Sequence, residues 1–448
     1  MMTSPELNKL YVHVDIGGGE RILAGELVID RANRMGKFRY TRQYCEHPDA
    51  FTLDPINLPL IKGAIYESPM TRESMGIAGA LLDAGPDDWG RRLLIALLEP
   101  PPSNDLEFLL AGSGKGTGAL YFTRDRVEPE AKSIPREFDN LEQIAETALL
   151  IDEGIQVSKE RAMFFRQGSS LGGTRPKTFI DEPKHNGDSG PAGFTRYIAK
   201  FSRKEDLVDE CLLEHASMEM ARDAGIDVPK TKVMDTALGP VFLIERFDLD
   251  KRGESAHVIS FKSLINKTGM DSVTSEQESY PNLANIAKQI CVDGASDTKE
   301  VFRRMLFNIA VGNVDDHVKN HSFIKPAGGK GYQLSPCYDV VPSIGLQGNL
   351  QIMSVGPSGG HQTVKNITLS AEQMGISNAD AAEIAEDVLR ATSNWEERYK
   401  QVGLEDKEIQ LIGQCFKNRA QVTQFLESIP AIDRNREAKK NTGITFTR

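Results

Sequence analysis

The chain has 448 residues, 40% hydrophobic and 26% charged, with a formal net charge of −11. That length suits two or three domains, and the composition is that of a soluble globular protein. The acidic balance disfavours a sequence-independent grip on nucleic acid by the chain as a whole, while leaving room for a local basic patch or for DNA contact through a basic partner. No apolar run approaches the ~20 residues of a membrane helix, and Met1 to Glu6 has neither the basic region nor the apolar core of a signal peptide. The five cysteines are scattered and odd in number, which argues for a reducing cytoplasm and against a disulfide framework. No Cys/His cluster has zinc spacing.

In chain order, Leu10, Val12, Val14 and Ile16 alternate with Tyr11, His13 and Asp15, a strand with one buried face. Gly17–Gly19 turns it into a second strand over Ile22–Ile29, and Phe38 and Tyr40 mark a third. Asp87 and Asp88 can cap a helix carrying Trp89, Leu93, Leu94, Leu97 and Leu98, which Pro100–Pro102 stops. A short helix is expected over Asp105–Leu110. Gly112 to Gly118 lacks the spacing of a Walker motif and reads as a turn into Ala119–Phe122. Arg124 to Pro135 is a linker and Leu141 to Leu150 a helix.

Gly168 to Lys177 is a Ser/Gly-rich loop feeding the strand Thr178–Ile180. Such a loop either lays backbone N–H groups against phosphates or is a plain turn. A strand ending on Lys200 precedes a helix over Asp209–Gly225 that carries Glu214. A strand lysine followed by a helix glutamate is the ion pair with which kinases hold the α- and β-phosphates; two solvated charges is the alternative. Strands over Thr231–Met234 and Pro240–Ile244 follow, the second running into Glu245-Arg246-Phe247-Asp248, where a kinase hinge would sit. Phe247 is either an adenine wall or core.

Helices are expected beyond Asp248, over Phe261–Ile265, Leu283–Val292, Lys299–Val311, Ala379–Tyr399 and Asp406–Leu426, with a frayed tail from Asp433. The helix Lys299–Val311 runs through Gly312 into Asn313-Val314-Asp315-Asp316-His317-Val318-Lys319-Asn320, followed by a hairpin and Tyr338-Asp339-Val340. An Asp, an Asn five residues on and a further Asp after a hairpin is how protein kinases build the catalytic floor. The first Asp deprotonates the acceptor hydroxyl; the Asn and the second Asp hold magnesium. Read alone, the loop is also ordinary turn chemistry; the order of the six features along the chain is that of a bilobed kinase.

Those motifs in that order resemble HipA-type serine/threonine kinases, the toxin partners of bacterial type II toxin–antitoxin pairs. The resemblance covers nearly the whole chain and includes Pro86-Asp87-Asp88-Trp89-Gly90-Arg91, Gly118-Ala119-Leu120, Gly172-Gly173-Thr174-Arg175-Pro176-Lys177, Glu245 to Asp248, Asn313 to Asn320 and Tyr338 to Val340. It implies an α+β, bilobed protein-kinase-like fold: an N-terminal β-rich subdomain over residues 1–125, a kinase small lobe over 135–248, a helical large lobe over 249–432 and a charged tail over 433–448. It implies Asp315 as general base and Asn320 and Asp339 as Mg2+ ligands. ATP would meet Gly172, Gly173, Lys177, Lys200, Glu245, Phe247, His317 and Lys319, and Ser170 would be autophosphorylated. The implied partners are a small helix-turn-helix, HipB-like antitoxin, DNA only through that antitoxin, and a protein substrate, typically an aminoacyl-tRNA synthetase. Unlike kinases at large, this chain has no His-Arg before Asp315, which leaves open whether Asp316 shares the base's role. The rival readings are a small-molecule phosphotransferase and a non-catalytic corepressor bound to a DNA-binding antitoxin.

Overall fold

The computed structural model describes residues 7–71, 75–114, 116–129, 141–155, 157–158, 161, 175–183, 194–266, 274–345 and 350–431. The chain divides into two units that interleave along the sequence. A sheet unit gathers Met1–Glu205, Pro229–Val273 and His321–Ser335; a helical unit gathers Asp206–Val228, Thr274–Asn320 and Pro336–Arg448. The helix Glu210–Asp223 therefore groups with the helices, and the strand Ser322–Lys325 groups with the sheets.

The sheet unit holds three antiparallel sheets. The first has the order Tyr66–Pro69, Met35–Tyr40, Glu20–Asp30, Lys9–Gly17, Leu120–Thr123. Leu10, Val12, Val14 and Ile16 are buried as their alternation predicts. His13, expected on the polar face, is also buried, and its Nε2 lies 3.0 Å from the Thr123 hydroxyl. The second sheet runs Lys177–Pro183, Phe194–Phe201, Gly239–Glu245, Thr231–Thr236. One face packs on Trp89 and Leu93 of the helix Asp88–Leu97 and on Leu141, Ile144, Ala145 and Ala148 of the helix Leu141–Asp152. Asp87 caps the first of these by accepting the Gly90 N–H at 2.6 Å. The third sheet joins His257–Ser260, Ser322–Lys325 and Gln333–Leu334.

The helical unit is built around Gly294–Val311, whose Val301, Phe302, Met305, Leu306, Phe307, Ile309 and Ala310 are all buried. Apolar residues on every side of a helix mean that it is enclosed by others. Tyr280–Ile290, Val364–Met374, Asn378–Ala391 and Arg419–Ser428 pack against it. The helix Val364–Met374 is absent from the sequence reading, although Thr363 caps it and Gly375 ends it in the left-handed conformation.

Two predicted long helices are broken. The span Ala379–Tyr399 is two helices, Asn378–Ala391 and Trp395–Gln401. The Leu389 carbonyl, which a continuous helix would pair with the Ser393 N–H, instead accepts from Arg419 Nη2 at 2.8 Å, and the Ser393 N–H turns to Arg390. Trp395 thus opens the second helix, and it stacks on Phe416 with ring centroids 4.4 Å apart. The span Asp406–Leu426 becomes Asp406–Ile412, a 3₁₀ turn over Cys415–Asn418, and Arg419–Ser428. No helix among the described residues is long and apolar enough to cross a membrane, and the five cysteines form no disulfide.

Candidate active site

The helix Gly294–Val311 delivers the loop. Gly312 ends it with φ +69°, and a Cβ there would lie 2.3 Å from the Cys415 carbonyl oxygen, so both conformation and space require glycine. Past Gly312 the chain folds back on the helix: the Asn313 N–H donates to the Asn308 carbonyl at 2.9 Å, and Asn313 Nδ2 to Asn308 Oδ1 at 3.1 Å. Asn308 Nδ2 in turn donates to Asp316 Oδ2 at 2.9 Å, and the Tyr280 hydroxyl donates to the same oxygen at 2.5 Å. Burial, reinforced by the neighbouring Asp316 carboxylate, pushes Tyr280 well above the ordinary phenol range, so it stays a donor.

This geometry separates the two adjacent acids. Asp316 is 3% exposed, and its carboxylate is held by Tyr280 and Asn308. Asp315 is exposed. Asp316 is therefore a support under the loop, and Asp315 is the carboxylate that can meet an acceptor. On the loop's far side, Ile352 N–H donates to the Val314 carbonyl at 3.0 Å and Met353 N–H to that of Asp316 at 3.2 Å.

Asp339 is brought alongside by fastenings on both sides of it. The Tyr338 hydroxyl donates to the Lys319 carbonyl at 3.0 Å. The Ser343 hydroxyl accepts the Val314 N–H at 3.0 Å and the Asp315 N–H at 3.2 Å, while the Ser343 N–H donates to the Gly312 carbonyl at 3.0 Å. Asp339 itself has φ +57°; among the described residues only Arg34 shares a positive φ without being glycine. A strained residue between two fastenings is held there by its surroundings, which is common at functional sites. Asn320 is buried, with its N–H on the His317 carbonyl at 2.8 Å. His317 is half-buried; its Nδ1 is sealed from solvent and meets no hydrogen-bond partner among the described residues. Lys319 is exposed.

The donor set suits Mg2+. The Asn320 amide and the Asp339 carboxylate would offer hard oxygens, and among the described residues no group of three or more His, Cys, Asp or Glu converges as a cage. Two protein oxygens, completed by phosphate and water, are the usual environment of Mg2+ in phosphotransfer sites.

The other predicted residues, Glu214 apart, lie in the sheet unit. Lys177 and Lys200 face each other across neighbouring antiparallel strands. Like charges directly opposite are unfavourable. Lys177, 3% exposed, is answered by Asp87, whose Oδ2 lies 3.3 Å from its Nζ. Burial raises the Asp87 carboxyl above its ordinary range even though Lys177 pulls it down. Lys200 is half-buried on its strand. Glu214 is buried on the helix Glu210–Asp223 of the helical unit. Glu245 ends the strand Gly239–Glu245, its N–H on the Lys230 carbonyl at 2.8 Å, and Phe247 is half-buried two residues on. Ser170, Gly172 and Gly173 lie outside the described residues.

The sequence reading missed several contributors. Arg246 and Asp248 form a buried two-pronged pair at 2.9 and 2.6 Å, and Asp248 also accepts the Gly118 N–H at 2.8 Å. Burial alone would raise Asp248, but the Arg246 guanidinium overrides it and holds the carboxyl below its ordinary range. Arg246 also lies over the Phe179 ring, 4.1 Å from its centroid. Asn308 had a visible signal, a polar residue inside the apolar run Leu306-Phe307-Asn308-Ile309. Tyr280 and Ser343 had none, because their partners are remote in sequence.

Comparison with known proteins accords with this geometry. The HipA-like C-terminal domain matches residues 169–395, just over half of the chain, and the HipA N-terminal domain matches residues 19–123. The chain belongs to the HipA family. A Shewanella oneidensis protein named serine/threonine-protein kinase toxin HipA is 24% identical over 340 residues, 71% of this chain and 73% of that protein. A Haemophilus influenzae relative, provisionally named a kinase, is 31% identical over 188 residues; the match spans 39% of this chain and 53% of that relative. Among solved structures, the Shewanella oneidensis toxin–antitoxin complex of HipA, HipB and operator DNA contains a chain that superposes with a TM-score of 0.65 at 18% identity, covering 94% of this chain and 99% of that one. The HipA fold is thus a bilobed, kinase-like α+β fold, and this chain has it.

Proposed function

We propose that this HipA-family chain is an ATP- and magnesium-dependent serine/threonine protein kinase of the toxin type, with Asp315 as general base. The observation that carries the reading is the division of labour between neighbours: Asp316 is buried and bound, while Asp315 is exposed on a loop fastened to the Asp339 segment. In the proposed reaction the acceptor oxygen bonds the γ-phosphorus, the bond to the β-phosphate oxygen breaks, ADP leaves, and a carboxylate oxygen of Asp315 takes the hydroxyl proton. Asn320 and Asp339 would hold Mg2+, which would supply charge neutralisation at the phosphate oxygens. Lys200 contacts the α- and β-phosphates; His317 and Lys319 complete the phosphate site with Gly172 and Gly173 of the Gly-rich loop and Lys177, which opens the strand after it. Glu245 and Phe247 meet adenine.

Ser170 is the proposed site of autophosphorylation. A phosphate there adds about −1.5 to −2 charge where the loop should receive those of ATP. The proposed partner is a HipB-like antitoxin that reaches DNA itself, in line with the solved complex that this chain resembles. The proposed substrate is a protein, with an aminoacyl-tRNA synthetase as the first to assay.

Labelled ATP with purified protein tests the reading. Label on Ser170 or on a lysate protein supports it, and label in a small-molecule fraction moves it to the rival phosphotransferase. Absence of any ATP–Mg2+ thermal shift would revive the corepressor, since a ligand that binds only the native state must stabilise it.

A further inference from the structure

We infer that Ser343 is a positioning residue for the base. This rests on the reading of Asp315 as base and adds a residue that the kinase motifs do not contain. One serine makes three hydrogen bonds to the catalytic loop. Its N–H donates to the Gly312 carbonyl at 3.0 Å, and its hydroxyl oxygen accepts the N–H of Val314 at 3.0 Å and of Asp315 at 3.2 Å.

A hydroxyl oxygen has two lone pairs, and both are used here. Those two N–H groups lie past the helix end at Gly312, outside the i→i−4 ladder, and need acceptors from elsewhere. Ser343 replaces the missing acceptors with an atom that lies four residues past Asp339. The same oxygen therefore fixes the backbone of Asp315 and ties it to the stretch bearing Asp339. The Tyr338–Lys319 bond does the same on the other side of Asp339, but it acts on the backbone next to Asn320. Among the described residues, it is Ser343 that binds the N–H of the residue proposed as base.

The contact is through backbone, so Ser343 sets where the Asp315 carboxylate starts from and touches neither nucleotide nor acceptor. A misplacement of about 1 Å in a reacting group can lower turnover about 100-fold while leaving binding elsewhere intact. The expected signature is a fall in kcat of about 10-fold or more without a change in KM for ATP. The hydroxyl is the active feature, so threonine should serve and valine, its near-isostere without the oxygen, should not.

The experiment compares Ser343→Thr, Ser343→Val, Ser343→Ala and Asp315→Ala in the full chain, measuring kcat, KM for ATP and the thermal midpoint. The inference predicts that threonine keeps activity within about threefold, and that valine and alanine lose about 10-fold or more in kcat with an unchanged KM for ATP. Alanine decides the matter if valine does not fold. Threonine and valine losing activity equally would show that volume, not the hydroxyl, is at stake, and would overturn the inference. So would wild-type kcat in alanine, or a KM for ATP that rises in step with the loss. Asp315→Ala separates the two layers: if it retains activity, the base assignment itself fails; if it is dead while Ser343→Ala is normal, only the role of Ser343 fails.

Discussion

Each unit buries an aspartate just past one of its elements, one after the strand Gly239–Glu245 and the other after the helix Gly294–Val311. Asp248 and Asp316 are 2% and 3% exposed. Asp248 is met by a guanidinium and a backbone N–H; Asp316 accepts from a phenol and an amide. The first arrangement cancels the charge it buries. The phenol and the amide that meet Asp316 are neutral donors, both on Oδ2. Breaking the hold on Asp248 removes a counter-ion, while breaking the Tyr280 bond to Asp316 removes one hydrogen bond, so the two should differ in the stability they carry.

The sharpest break of this comparison is in activity. Asp315→Asn should lower phosphoryl transfer by about 10²–10⁴-fold with little change in thermal midpoint, because the residue is exposed. If Asp316→Asn gave the larger loss at an unchanged midpoint, the roles would be reversed. Next is Arg246→Ala, which leaves Asp248 buried without its counter-ion and should cost about 3–5 kcal/mol in urea unfolding. Tyr280→Phe removes one hydrogen bond to a buried carboxylate and should cost about 1.5–3 kcal/mol; a cost as large as that of Arg246→Ala would mean that the two aspartates are held alike.

The smallest effect concerns pH. His257 is 1% exposed, its Nε2 lies 2.8 Å from the Leu53 carbonyl, and burial lowers its pKa to about 4. The unfolded chain takes up this proton near 6.5 and the folded chain only near 4. The histidine's contribution is therefore complete above 6.5 and declines as pH falls through that window, by about 2 kcal/mol at pH 5. Replacing His257 by Phe should flatten that part of the stability profile; an unaltered slope would assign it to other groups.

Much of this was legible in the chain. The alternation of Leu10 to Ile16, the Asp87 cap and the apolar stripe ending at Gly312 are local signals, and each gave the element observed. The polar loop past Gly312 and the hairpin that follows it were legible from their order along the chain. What escaped depends on partners distant in sequence. No local rule says that Arg419 will take the Leu389 carbonyl and end a helix, or that Tyr280 will reach Asp316. The Asp315-or-Asp316 ambiguity had the same origin, since adjacent identical residues differ only in what folds against them.

The pairing of Lys177 with Asp87 bears on how far the molecule can be pared down. Asp87 comes from the stretch preceding residue 125, as does the Gly118 N–H bound to Asp248. A fragment cut to the segment that carries the kinase motifs would keep a buried ammonium without its carboxylate and a buried carboxylate short of one donor. The opening third of the chain is in this sense part of the phosphotransfer half's own interior, and removing it should unmake the sheet that bears Lys200.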